Sequence, residues 1–203
     1  MSRSDLLQDL DYVRTLAEEG RTAPLIGGAH LVALGGLTAL AYVGHWAIGA
    51  FGAPTLFYPA LWVGYGVAMA IAGGILEKRA DAMPGASAIG NRADRAVWTA
   101  STIALIAWVV GCVLNAQLRG DMALVDWIAP GAFMAYGMAL MTTSLIAKDA
   151  VLRVAGVLAM LIGAGLIVLV GQPVLYLAAA AGVVICTVAP GVIQMAREPK
   201  TMV

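Results

Sequence analysis

Apolar positions gather into six runs, near 25–46, 57–76, 96–116, 127–147, 151–170 and 173–193. Each has about the 20 residues a helix needs to cross a bilayer core, at about 1.5 Å per residue. Ahead of them, residues 5–19 read DLLQDLDYVRTLAEE, with Leu6, Leu10, Val13 and Ala17 at spacings of four, three and four. That periodicity draws one apolar stripe along a helix. Asp5 with Gln8 forms a capping box and Gly20 a stop. The polar side of this helix is acidic, and anionic headgroups would repel it. Its stripe is therefore expected to dock on protein, either the chain's own bundle, a second copy or a cytoplasmic partner.

The pattern thus predicts an all-α, polytopic membrane protein. Residues 1–23 form a cytoplasmic amphipathic helix and linker, 24–196 a six-helix membrane domain, and 197–203 a cytoplasmic tail. A further regularity lies in the even-numbered spans. Each starts near a proline (Pro59, Pro130, Pro173), followed three residues on by an aromatic (Trp62, Phe133, Tyr176). Small residues then recur at four-residue steps: Gly64, Ala68 and Ala72; Ala135, Ala139 and Thr143; Ala178, Gly182 and Cys186. Residues four apart share a helix face, and small ones let another backbone come close. The reading is three tandem hairpins whose even helices pack through these faces. Tyr65-Gly66 and Tyr136-Gly137 extend the match in the second and fourth spans, whereas the sixth has Ala179 in place of the tyrosine.

Composition sharpens the class. Of 203 residues, 61% are hydrophobic and 12% charged, about half the charge a soluble domain carries. The 12 basic and 12 acidic residues cancel, which leaves no surplus to attract nucleic acid. The basic residues are one-sided. Arg3, Arg14, Arg21, Lys78, Arg79, Arg92, Arg95, Lys148, Arg153, Arg197 and Lys200 flank the same ends of the spans, and Arg119 alone flanks the other. Basic residues stay on the cytoplasmic side, so both termini are expected there, in a bacterial inner membrane. Membrane lipid is one expected partner, with a second copy or a cytoplasmic protein as another. The loop from Glu77 to Arg95 is the longest and reads as flexible at its centre. Pro190-Gly191 is a site for a kink.

Candidate chemistry is sparse. His30 and His45 both fall on the first span, about 22 Å apart along its axis, too far to hold one metal or haem. His30 lies inside the inner end, where a polar side chain is a functional candidate. Thr142, Ser144 and Thr187 lie at a similar depth, beside Thr143. No carboxylate stands in the middle of a span, since Glu77 marks an inner end and Asp121 and Asp126 belong to an outer loop. Proton-coupled transport usually places an acid in the interior. No metal, phosphate-loop or nucleophile motif is present, so neither enzyme activity nor a cofactor is expected. The sequence favours a non-enzymatic membrane protein that works by helix association or partner docking, with a small-solute or ion transporter or channel as the alternative.

Overall fold

The structure, a computed structural model, describes residues 25–198. The amphipathic helix expected from Leu6, Leu10, Val13 and Ala17 lies outside the described residues. Six helices are each long and apolar enough to cross a membrane. They are α1 (Gly28–Ala50), α2 (Phe57–Asp81), α3 (Ile89–Arg119), α4 (Ile128–Ala147), α5 (Ala150–Leu166) and α6 (Val174–Met195). A 3-10 segment, Met122–Trp127, leads into α4, and another, Ile167–Leu169, extends α5. No strand occurs among the described residues.

Local chemistry sets the turns. Gly120 ends α3 with φ +66° and Gly52 follows α1 with φ +64°, left-handed values that glycine adopts without a Cβ penalty. Asp149 accepts from the N–H groups of Val151 (2.7 Å) and Leu152 (3.1 Å), so its carboxylate caps α5 directly after α4 ends. α3 begins well before the expected span. Asn91, Asp94 and Arg95, read from sequence as loop, are helical, and the turn between α2 and α3 shrinks to residues 82–88. These polar residues sit within the helix with partners elsewhere: Asp94 and Arg95 on other helices, and Asn91 on the segment before α1 and the turn before α3.

Neighbours follow the order α2, α1, α6, α5, α4, α3, an arc whose two edge helices barely touch each other. Burial follows that order. α2 buries only Ala80 and α3 only Asn91 and Ala116, whereas α1, α4, α5 and α6 supply the core. Ala39 and Tyr42 of α1 meet Phe133 of α4, Ala159 of α5 and Leu175, Ala179 and Val183 of α6 in one cluster. Leu31 packs with Leu140, Leu152 and Ala155 in a second.

Glycines set the closest approaches, and these include positions on α1 and α5, helices the sequence pattern did not single out. A Cβ added at Gly28 would stand 2.6 Å from the Met195 backbone nitrogen, and one at Gly35 would collide with Thr187. α1 and α6 thus meet through two glycines seven residues apart. Gly156 of α5 would bring a Cβ within 2.8 Å of Met141 N and 3.0 Å of Gly137 O, and Gly163 within 3.2 Å of Pro130 O. α4 and α5 lock in the same way. With no water between helices to drive association, such backbone contact is what membrane packing relies on.

The three small-residue stripes fare differently. On α6, Gly182 and Cys186 are buried, with Gly182 against Phe133 and Ile162, and Ala178 is half-buried. On α4, Ala139 and Thr143 are buried and Ala135 half-buried. On α2, Ala68 and Ala72 are half-buried, but Gly64 is exposed and a Cβ there would meet nothing within 4 Å. Among the described residues no helix comes close at Gly64, because α2 is an edge helix with one neighbour there. Pro190 does not break α6. A one-turn π-helical widening at Val184–Val188 precedes it, easing the clash between the proline ring and the carbonyl four residues earlier. The widening carries Cys186 and Thr187, whose hydroxyl sits over Gly35.

Gly156→Leu should lower thermal stability in detergent by about 1–3 kcal/mol through overpacking, while Gly64→Leu should leave it unchanged. Equal effects at the two positions would contradict this packing.

Candidate functional site

α1 is apolar except along one side. His30, Thr38, Tyr42 and His45 follow one another at spacings of eight, four and three, so they lie on one face of the helix. Each position heads a group of polar partners brought from other helices. Three groups result, one near the start of α1, one at its middle and one near its end.

At the start of α1 no side chain of its own caps the helix. Partners distant in sequence do so instead. Glu198, beyond α6, accepts from the Gly28 N–H at 3.0 Å, and Asn91 of α3 accepts from the Ile26 N–H at 3.1 Å. A carboxylate at this end satisfies an orphan donor and faces the positive end of the helix dipole. Glu198 is 7% exposed, and Arg79 stands 3.7 Å from its second oxygen. Asn91 in turn donates to the Gly85 carbonyl at 2.9 Å, fixing the turn between α2 and α3.

His30 sits one turn further in. Its Nε2 is 3.6 Å from Glu77 Oε2 on α2, with Asp94, Arg95 and Glu198 also within electrostatic reach. Arg95 holds Glu77 at 3.0 Å and Asp81 at 2.9 Å. Asp94 accepts from the Thr143 hydroxyl of α4 at 2.6 Å. Two buried atoms, His30 Nε2 and Gln194 Nε2, have no hydrogen-bond partner. A recess opens beside His30, walled by Ile26, Ala29, Leu76 and Met83 and edged by Arg79 and Glu198.

At the middle, the Thr38 hydroxyl donates to the Leu34 carbonyl at 2.8 Å and lies 2.9 Å from the Tyr65 hydroxyl of α2. The phenols of Tyr42, Tyr65 and Tyr136 stand within electrostatic range of one another. The two tyrosines of the repeated Tyr-Gly pairs therefore converge on α1 from α2 and α4.

Near the end of α1, His45 is stacked on Tyr176 of α6 with ring centroids 3.6 Å apart. Its Nδ1 accepts from the Trp62 indole N–H at 3.0 Å, which assigns the proton of the neutral ring to Nε2. Tyr58 flanks the ring at 4.5 Å. The Tyr176 hydroxyl donates to Asp126, whose other oxygen accepts from the Gly171 N–H at 3.0 Å. His45 is half-buried inside an aromatic cluster.

The residues selected from sequence divide accordingly. His30 joins the charged group. Thr142, Ser144 and Thr187 bond carbonyls of their own helices, at Met138, Met141 and Val183, a local pattern that provides packing without forming a site. Thr143, selected for its size, uses its hydroxyl on Asp94. Missed altogether were Asp94 and Arg95, hidden in the supposed loop, and Asp126, whose partner is 50 residues away. Cys112 and Cys186 are free thiols. Among the described residues no group of three or more His, Cys, Asp or Glu is arranged to hold a metal ion. No protein family, curated protein or solved structure matches this chain.

Tyr176→Phe removes the donor to Asp126 and should cost about 1.5–3 kcal/mol, the range for a hydrogen bond to a charged group. Thermal unfolding in detergent checks this, and an unchanged midpoint would mean the bond adds nothing.

Proposed function

We propose that the chain is an integral membrane protein that passes protons along the polar face of α1, as a small channel or carrier. The observation that carries the reading is the alignment of three polar groups on one face of one helix: His30 with Glu77 and Asp94, Thr38 with Tyr65, and His45 with Trp62, Tyr176 and Asp126. Chains of His, carboxylate and hydroxyl groups inside a membrane are rare, and where they occur they serve proton relays. Histidine suits such a relay because it gains and loses its proton near neutral pH.

The first group is the cytoplasmic one if the basic residues follow the positive-inside rule. That places the termini inside and Asp126 at the external end. Sequence alone had counted against transport for want of an interior acid. Glu77 and Asp94 supply acids to His30 from neighbouring helices, so that objection loses its force. Between His30 and Thr38 the path is apolar for about 12 Å, eight residues of helix rise. The half-buried side of α2 offers only small groups there, Ala68 and Ala72, beside Met69. A proton crossing this stretch needs a file of water, which side chains as small as Ala68 and Ala72 obstruct less than larger ones would. The tandem-hairpin repeat gains support from the same place, since its duplicated tyrosines, Tyr65 and Tyr136, serve one group.

A second reading, action through association, rests on α2. Gly64 and Gly74, where an added Cβ would meet nothing, lie on the same side of α2 as exposed Val63, Val67 and Ile71. A second copy could pack on such a ridge. Crosslinking between copies at Val67 reads this directly.

Purified protein in liposomes, with a pH-sensitive dye inside and an imposed pH gradient, tests the main reading. The gradient should collapse faster than in empty liposomes. Equal rates under both signs of membrane potential would remove the proposal.

A further inference from the structure

Glu77 stands between two partners. Its Oε1 is 3.0 Å from Arg95 Nε on α3, and its Oε2 is 3.6 Å from His30 Nε2 on α1. Arg95 also reaches Asp81 at 2.9 Å. One guanidinium therefore holds two carboxylates of α2, and it does so between helices that otherwise barely touch. His30 Nε2 is buried and forms no hydrogen bond among the described residues. The charged groups facing it are Glu77 and Arg79 from α2, Asp94 and Arg95 from α3, and Glu198 beyond α6. From α4 and α6 the nearby polar groups, Thr143 and Gln194, carry no charge.

We infer that His30 is a proton-operated latch on the angle between α2 and α3. With the imidazole neutral, Arg95 keeps Glu77 and Asp81 together and ties α2 to α3. A hydronium ion from water at this end gives its proton to the unprotonated ring nitrogen: its O–H bond breaks, one N–H bond forms and a water molecule is left. The imidazolium then attracts Glu77 and repels the Arg95 guanidinium, and both forces act over a few ångström, where Coulomb terms are strongest. Arg95 gives up Glu77 but is not stranded, since Asp81 remains its partner. Burial works against the charged ring, while Glu77, Asp94 and Glu198 attract it and Arg95 repels it. When the proton leaves, the lone pair returns and Arg95 recovers Glu77. The latch gives the proton path a gate at its first group and rests on the transport reading for its purpose. The switch itself follows from the shared carboxylate.

Its test is a distance. Leu56 at the start of α2 and Leu118 near the end of α3 are exposed, at the ends remote from Arg95, where a change of angle is largest. Nitroxides on cysteines at these two positions, in a background of Cys112→Ser and Cys186→Ala, report it by pulsed electron resonance in lipid nanodiscs. The distribution should be single at about pH 8 and gain a second, shifted distance as added acid protonates the ring. His30→Gln should keep the high-pH distribution throughout, and His30→Arg should show the shifted one throughout. An unchanged wild-type distribution, or a shift that survives His30→Gln, overturns the latch. If the distance shifts as stated while liposomes pass no protons, the latch stands and the transport reading falls. Proton flux without any shift has the opposite meaning.

Discussion

Hydrocarbon offers no hydrogen bonds, so a transmembrane helix with a polar side must bury that side in protein. α1 is long and apolar enough to cross a membrane yet carries such a side, and most of the architecture follows from enclosing it. His30, Thr38, Tyr42 and His45 could not face lipid without losing their partners. α2, α3, α4 and α6 each bring groups to that side: Glu77, Tyr65 and Trp62; Asp94 and Arg95; Tyr136; and Tyr176. The exposed surfaces of α2 and α3 are by contrast rich in Val and Ile, as at Val63, Val67, Ile103 and Ile106. Those helices are edges because they have only one polar side to give.

Enclosure needs closeness, and glycine supplies it. Gly28 and Gly35 let α6 come up against α1 so that Glu198 reaches the helix start and Thr187 rests on the helix surface. Gly137 and Gly156 do the same for α4 and α5. The π-helical turn before Pro190 belongs to this arrangement, since it carries Thr187 into place over Gly35. Backbone packing and polar placement are thus one problem solved by the same few residues.

How much of this could be read in advance depended on distance along the chain. The six spans were legible because hydropathy is local, and their bounds differ by a few residues except at α3. That helix starts at Ile89, and the signal was available. Asn91, Asp94, Arg95 and Trp98 recur at helical spacing on one face, a polar stripe that a flexible-loop reading overlooks. The polar face of α1 was equally readable, but its histidines were considered singly, without Thr38 and Tyr42. Small-residue stripes were sought on the even helices, where alanine is common, while the seven-residue glycine pairs of α1 and α5, which also bring backbones together, went unread. Asp126 with Tyr176, and Glu198 with Gly28, were beyond reach. Those contacts join segments 50 and 170 residues apart, and nothing local marks them.

The central claim is that protons follow the polar face of α1 through its middle. One oxygen tests it most directly. Tyr65→Phe removes the hydroxyl facing Thr38 and leaves the ring, its edge contact with Trp62 and the Thr38 bond to Leu34 in place. Proton flux per protein in liposomes, measured for this variant at equal incorporation and thermal stability, should fall to the background of empty vesicles. Flux equal to that of the wild type would contradict the account.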